Sequence, residues 1–349
     1  MKVKLIIAVC VSFVVILFGI ALGSVYIPPG EIFAIIRHRV TGAELCDTIG
    51  AAAYAIVWNL RLPRTLLAFI AGGALSVSGA VMQSVLRNPL ASSFTLGVSS
   101  GASLGAGIVI FYSVTIPIAT MFTLPMLGFI FAIGTILLVI AFATRIDNQM
   151  ENNTIILTGM VFSLFVNAIT TLMSALSAEN IRRLVMWQMG SFSMRGWEAV
   201  YILAPVIALG TVFIVHFNRE LDIMTFGEEQ ARTMGVNLKR VKWLLLITAA
   251  ALTGSAIAFV GVIGFVDLVA PHIVRRVFGS SHRYVVPMSA LFGGAFMVVC
   301  DIIARMLTVV LPSELPVGAV TALLGAPFFA YIYFSRRTKK SNAGAGVIT

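Results

Sequence analysis

The chain has 349 residues, of which 59% are hydrophobic and only 11% charged, with a mean hydropathy of +1.00. No water-soluble domain of this size tolerates such a surface, so the composition excludes a soluble enzyme and requires a polytopic membrane protein. The net charge of +10 fits basic loops on the cytoplasmic side of a membrane, not a nucleic-acid-binding surface.

A hydrophobic helix crosses ~30 Å of hydrocarbon with about 20 residues. The first such run, 5–23, follows Lys2 and Lys4. It is a full bilayer long, and Gly23 and Ser24 make a poor cleavage site, so it reads as a retained span and not a signal peptide. Further spans are expected at 62–86, 116–143, 154–176, 200–217, 285–311 and 317–334. The run at 94–111 is short and full of small residues (GVSSGASLGAG), which suits close packing inside a bundle. At 243–274 the apolar run has about 32 residues, or ~48 Å of helix, too long for one span and too short for two full ones. If it crossed once, Arg275, Arg276, Arg283 and the basic RRTKK tail would lie outside, against the positive-inside rule. A full span followed by a short return helix, broken near Gly261 and Gly264, puts them inside with Arg87, Arg145, Arg219 and Arg232. The expectation is an all-α polytopic membrane protein, one transmembrane domain over 1–349. It has ten transmembrane helices including short return helices, and both termini, with the 336–349 tail, are cytoplasmic. Short, glycine-interrupted helices need shelter from lipid, which implies a pathway or a crowded core.

This topology places Arg61 and Arg64 at the outer start of the second span, beside Trp58, and Arg305 at the outer end of the ninth. Arginines there can snorkel toward water, and Asp301, one turn before Arg305, offers a local pair. The longest cytoplasmic segment, 218–242, sets Thr225 and Glu228 at capping-box spacing, the Thr225 hydroxyl accepting from the Glu228 amide. With Gly235 as a stop, a short surface helix is expected over 226–234. Cys10, Cys46 and Cys300 stand singly and read as structural. His272 and His282, at the membrane boundary, read as structural too. The chain has no G-x-x-x-x-G-K-[ST], H-E-x-x-H or G-x-S-x-G motif, hence no ATP-hydrolysing site of that type and no nucleophile–base signature of an intramembrane enzyme.

Four stretches, LRLPRTLLAFIAGGALSVSGAVMQSVLRNPLASSFTLGVSSGASLGA, FGEEQARTMGV, GVIGFVDLVAPHIVRR and ELPVGAVTALLGAPFF, resemble the FecCD-type permease subunits of type II ABC importers. Those importers take up iron–siderophore, haem and cobalamin. The resemblance implies the type II importer permease fold in the bacterial cytoplasmic (inner) membrane. It implies a second permease copy, identical or a close paralogue, around a central pathway. Two partner ATPase subunits would bind ATP and magnesium below, and a periplasmic or lipid-anchored binding protein would dock above. It further implies docking of the binding protein at Arg61, Arg64 and Arg305, and ATPase coupling at Glu228, Glu229, Ala231 and Gly235. Asn88, Asn152 and Asn153 match cytoplasmic gate positions, and NIRRLVMWQMGSF matches a short outer helix beside the pathway. No cofactor or metal is expected in this chain itself.

One position departs from the family pattern: Asp267 stands in the apolar return helix, where the commoner pattern is IGF-V-G-L. An isolated charge at membrane depth costs ~2.5–3.5 kcal/mol, so this carboxyl should be protonated, paired or wet. Two functions are therefore carried forward. The first is translocation of a metal chelate, iron–siderophore foremost, with cobalamin or haem as alternatives. The second is a proton-coupled secondary transporter using Asp267, with Asp301.

Overall fold

The computed structural model describes residues 2–345 except 24, 46–48, 118–119, 177, 194 and 310–312, with side chains as far as Tyr331. Cys46 and the side chains of the basic tail lie outside the described residues. The described chain is helical, without strands. In order the helices are α1 (Lys2–Ala21), α2 (Pro29–Thr41), α3 (Ala51–Ala55), α4 (Leu62–Val85), α5 (Val98–Tyr112), α6 (Thr123–Ile146), α7 (Asn152–Leu176), α8 (Ala178–Gln188), α9 (Trp197–His216), α10 (Asn218–Met224), α11 (Glu228–Thr233), α12 (Leu238–Val260), α13 (Val266–Phe278), α14 (His282–Met306) and α15 (Val317–Ala345). A π-helical turn, Ile56–Arg61, joins α3 to α4 in one run of 35 residues, Ala51–Val85.

Among the described residues seven helices are long and apolar enough to cross a membrane: α1, the α3–α4 run, α6, α7, α9, α12 and α14. Of the other three expected spans, two are short. α5 has 15 residues and α13 has 13, whereas α15 is 29 residues long and apolar from Val317 through at least Tyr331. Among the described residues length alone therefore supports seven crossings where the sequence reading expects ten: α5 and α13 are shorter than a bilayer is thick, and the side chains of α15 are described only to Tyr331.

Contacts sort the helix ends into two faces. On one, Lys4 Nζ donates to the Val277 carbonyl at the end of α13 (2.9 Å), Lys239 reaches Asn148 between α6 and α7 (2.8 Å), and the start of α14 meets Asp222 of α10. This is the connector face. On the other, the arginine face, Trp197 Nε1 donates to the Trp58 carbonyl (2.8 Å) with the rings 5.0 Å apart. Such aromatics favour a membrane boundary. The turn before α14 thus lies on the same face as the start of α12, so the chain runs out along α12 and back along α13. The expected break is present: α12 stops at Val260, and Gly261 (φ +81) and Phe265 (φ 69) turn the chain.

α4 is the axis of the bundle, packed among α14, α12, α13 and α9. From residue 71 to 85 every residue is buried. The run AGGALSVSGA makes this possible, since small side chains let neighbouring backbones approach. At Gly79 a Cβ would collide with the main-chain carbonyl of Asp267. By contrast α1 leaves Ile6, Val9, Phe13 and Phe18 exposed, a lipid-facing stripe.

Candidate functional site

On the arginine face the three arginines expected from the sequence meet around an open pocket of about 210 Å³, shared with Gly23, Thr308 and Glu314. Each arginine is committed within the chain. Arg61, only 6% exposed, donates through Nη1 to the carbonyls of Ile20 (3.1 Å) and Ala21 (2.9 Å), and through Nη2 to that of Val25 (2.5 Å). Arg305 donates to Gly19 (2.8 Å) and Leu22 (3.3 Å). The last carbonyls of α1 have no further turn to accept from, and two cations, from the π-turn before α4 and from α14, satisfy them at the negative end of the helix dipole. Arg64 forks onto Asp301 Oδ1 (3.0 and 2.9 Å) and onto Glu314 (3.1 and 3.0 Å). The buried Asp301 also pairs with Arg305 at 3.1 Å, the local pair expected from helical spacing.

Glu314, 39% exposed, also accepts from the Ser193 hydroxyl. Its partial burial would raise its pKa, but the bonds from Arg64 and Ser193, with the charges of Arg64 and Arg305, hold it below the usual carboxylate range. Of this cluster Glu314 is the most exposed, while Arg61 and Arg305 hold the end of α1.

On the connector face the expected capping box is absent. The Thr225 hydroxyl donates instead to the Asp222 carbonyl (2.7 Å), and Gly227, at φ +128, precedes α11 without a side-chain cap. The turn through Gly227 makes Glu228 the first helical residue, so its carboxylate points away from Thr225 and pairs with Lys242 (2.8 Å). Lys242 is fully buried and also donates to the Met150 carbonyl (2.6 Å). It thereby ties α11 and α12 to the turn between α6 and α7. In that turn Asp147 accepts from the amides of Glu151 (2.6 Å) and Gln149 (2.8 Å), which hold its carboxyl below the usual range. Lys242 gives no signal in the sequence beyond one more cytoplasmic charge, since its partners are not at helical spacing.

Of the expected coupling residues, Glu229 is exposed, while Ala231 is buried and packs α11 onto the core. Gly235 follows α11 at φ +86, the expected stop. Glu228 and Glu229 share an open cleft of about 680 Å³ with Arg87, Asn152, Asn153 and the exposed Phe226. Coupling and gate positions inferred separately thus face one another. Asn88 is not part of the cleft; its Oδ1 accepts from the Leu90 amide (2.9 Å) and shapes the turn after α4.

Asp267 lies in the first turn of α13, 1% exposed. Neither carboxyl oxygen has a hydrogen-bond partner of good geometry among the described residues; the backbone of Ser93, Asp267 and Leu268 and the positive end of the α13 dipole favour its charge. It packs against Gly79 of α4, whereas Asp301 pairs with Arg64 of the same helix. Fifteen residues of helix, ~22 Å, separate those positions, so the two acids do not form one site. Among the described residues no three His, Cys, Asp or Glu side chains converge as a metal site.

A family model described as the FecCD transport family matches residues 10–335. The YvrB ABC transporter permease protein of Bacillus subtilis is 42% identical over 317 residues, 91% of this chain and 89% of that protein. The cobalamin import system permease protein BtuC of Halobacterium salinarum is 38% identical over 297 residues, 85% of this chain and 78% of that protein. Among solved structures, an inward-facing conformation of a transporter described as metal-chelate type ABC superposes with a TM-score of 0.83 at 26% identity. It covers 96% of this chain and 100% of the other.

Proposed function

Because the chain belongs to the FecCD transport family, we propose that it is the membrane subunit of an ATP-binding-cassette importer carrying a metal chelate, an iron–siderophore complex, across the bacterial cytoplasmic membrane. The observation that carries this reading is the cleft on the connector face. A chain without a nucleotide-binding loop must receive force by contact, and the cleft pairs a short helix, α11, with an exposed aromatic, Phe226, and three acids, Glu151, Glu228 and Glu229. Two ATPase subunits, holding ATP and magnesium, engage this face; Glu229 and Phe226 make the contact, and Glu228 and Ala231 hold α11 in place. Asn152 and Asn153, with Asn88 at the turn after α4, gate the pathway from the same side. A second permease copy completes the pathway, and a binding protein docks on the arginine face, where Arg64 and Glu314 supply the exposed charge. Ten passages, two of them the short α5 and α13, bring both termini to the cytoplasm, a count supported by the return of α13 to the connector face.

A second cargo, cobalamin, is favoured by the cobalamin permease at 38% identity. The two are separated by which ligand the partner binding protein retains. The transport mode is tested by reconstituting the permease in vesicles with its ATPase and loaded binding protein. Uptake is expected with ATP and the intact ATPase, and none with an ATPase unable to hydrolyse. Uptake driven by a proton gradient without ATP would overturn the reading and favour a carrier centred on Asp267.

A further inference from the structure

Four polar side chains unused by the sites above form one hydrogen-bonded line. Asp222, in α10, has both oxygens engaged by the start of α14. Oδ1 accepts from the His282 amide (2.8 Å) and ring Nδ1 (2.6 Å), and Oδ2 from the Ser281 hydroxyl (3.1 Å). Asp222 therefore caps α14 from another helix, where free amides and the dipole favour a carboxylate. Across the ring, His282 Nε2 meets the Ser84 hydroxyl of α4 (2.6 Å). Ser84 accepts in turn from Arg275 Nη2 of α13 (3.1 Å). Arg275 also holds the Ala80 carbonyl (3.0 Å) and Gln83 Oε1 (2.5 Å), and Gln83 Nε2 donates to the main-chain carbonyl of Asp267 (3.0 Å), back in α13.

The ends of the line set its direction, because a carboxylate only accepts and a guanidinium only donates. With a neutral imidazole, Nδ1 donates to Asp222, Nε2 accepts from the Ser84 hydroxyl, whose hydrogen is shared with the Ala80 carbonyl (2.8 Å), and Ser84 accepts from Arg275. Each bond then polarises the next, from the Arg275 cation to the Asp222 anion. The order Ser–His–Asp is that of a hydrolase triad. Here, however, Ser84 and His282 are buried and the serine hydroxyl is already held by three partners, His282, Arg275 and the Ala80 carbonyl, so no substrate reaches it.

We propose that Asp222, His282, Ser84 and Arg275 are a transmission clasp, positioning residues through which displacement of the α10–α11 connector reaches α4 and the return helix α13. Elsewhere α10 rests on the bundle through Leu221 and Met224, whose apolar contacts are non-directional and let the helix slide. The directional bonds of the clasp pass the displacement on. For its purpose the clasp rests on the ATP-driven reading above; its geometry does not.

The test compares Asp222→Ala, which removes the clasp, with Asp222→Asn, which keeps the acceptor of the His282 amide and ring. In the permease alone, amide hydrogen exchange across α13 is expected to quicken about tenfold in Asp222→Ala, the effect of losing a hydrogen bond to a charged group. Asp222→Asn is expected to stay near wild type. In the reconstituted importer, cargo taken up per ATP hydrolysed should fall several-fold in Asp222→Ala and recover in Asp222→Asn, with ATPase co-purification intact. Two results would overturn the clasp: exchange changes confined to α10 and the first turn of α14, or uptake and hydrolysis falling together in proportion to folded complex. Should the wild-type importer show no ATP-dependent uptake, the transport reading fails and the α13 exchange alone decides the clasp.

Discussion

Arg61 shows how a buried cation is held without a carboxylate. Three carbonyls of α1 and its following turn surround it, so replacing it by leucine leaves acceptors in an apolar setting, each costing about 1–3 kcal/mol. Arg61→Leu is expected to lower the stability of the purified permease by about 3 kcal/mol in a denaturation series, and Arg61→Lys to recover less than half, since an ammonium cannot span three acceptors as a fork does. The Arg64–Glu314 pair differs because water reaches it. A double-mutant cycle should find a coupling below about 1 kcal/mol. Glu314 has a lowered pKa in the fold, so its contribution is fully present above the ordinary carboxylate value of about 4.3 and is lost as pH falls through the lowered one. The coupling should therefore be flat between about pH 6 and 8 and vanish only in strong acid. The Asp301–Arg305 pair was legible in the sequence because helical spacing places it. The capping of α1 was not, because its donors stand 40 and 286 residues from their acceptors.

Helices show the same division. The break after α12 was legible because length, glycine and charge agree on it, and the burial of α5 because small residues serve no purpose against lipid. The capping box failed because its reading considered Thr225 and Glu228 alone, while the backbone at Gly227 and a lysine 14 residues further on decided where the carboxylate went. The run through Ala51–Val85 was read as starting at residue 62, since the apolar run was counted from the arginines and the π-turn beneath them leaves no mark in the sequence. Glycine supplies a sharp test of the α4 axis. Gly79→Ala would drive a methyl into the backbone of α13 and is expected to abolish recovery of monodisperse permease in size-exclusion chromatography. Gly134→Ala meets nothing within 4 Å and should behave as wild type.

For the whole molecule the decisive matter is which ends share a face. Contacts place the start of α14 with α10, and the end of α1 with the start of α4. Single cysteines at Ser281 and Glu229, in a background without Cys10, Cys46 and Cys300, should resist an impermeant reagent applied to intact cells and react in inverted vesicles. A cysteine at Leu60, exposed on the arginine face, should show the reverse. Labelling of Ser281 and Leu60 from the same side would break the return-helix arrangement.

The burial of α4 also bears on how the protein is made. Helix α4 ends at Val85, but its partners α12, α13 and α14 end at Val260, Phe278 and Met306. At about 5–20 residues per second, the ~220 residues between α4 and the end of α14 take roughly 10–45 s to synthesise. Throughout that interval the glycine- and serine-rich surfaces of α4 face lipid or the insertion machinery, and Arg61 can find its acceptors on α1 before Arg64 finds Asp301. A chain ending after Val260 should therefore enter the membrane yet be degraded quickly in a pulse–chase experiment, whereas one carried through Met306 should persist.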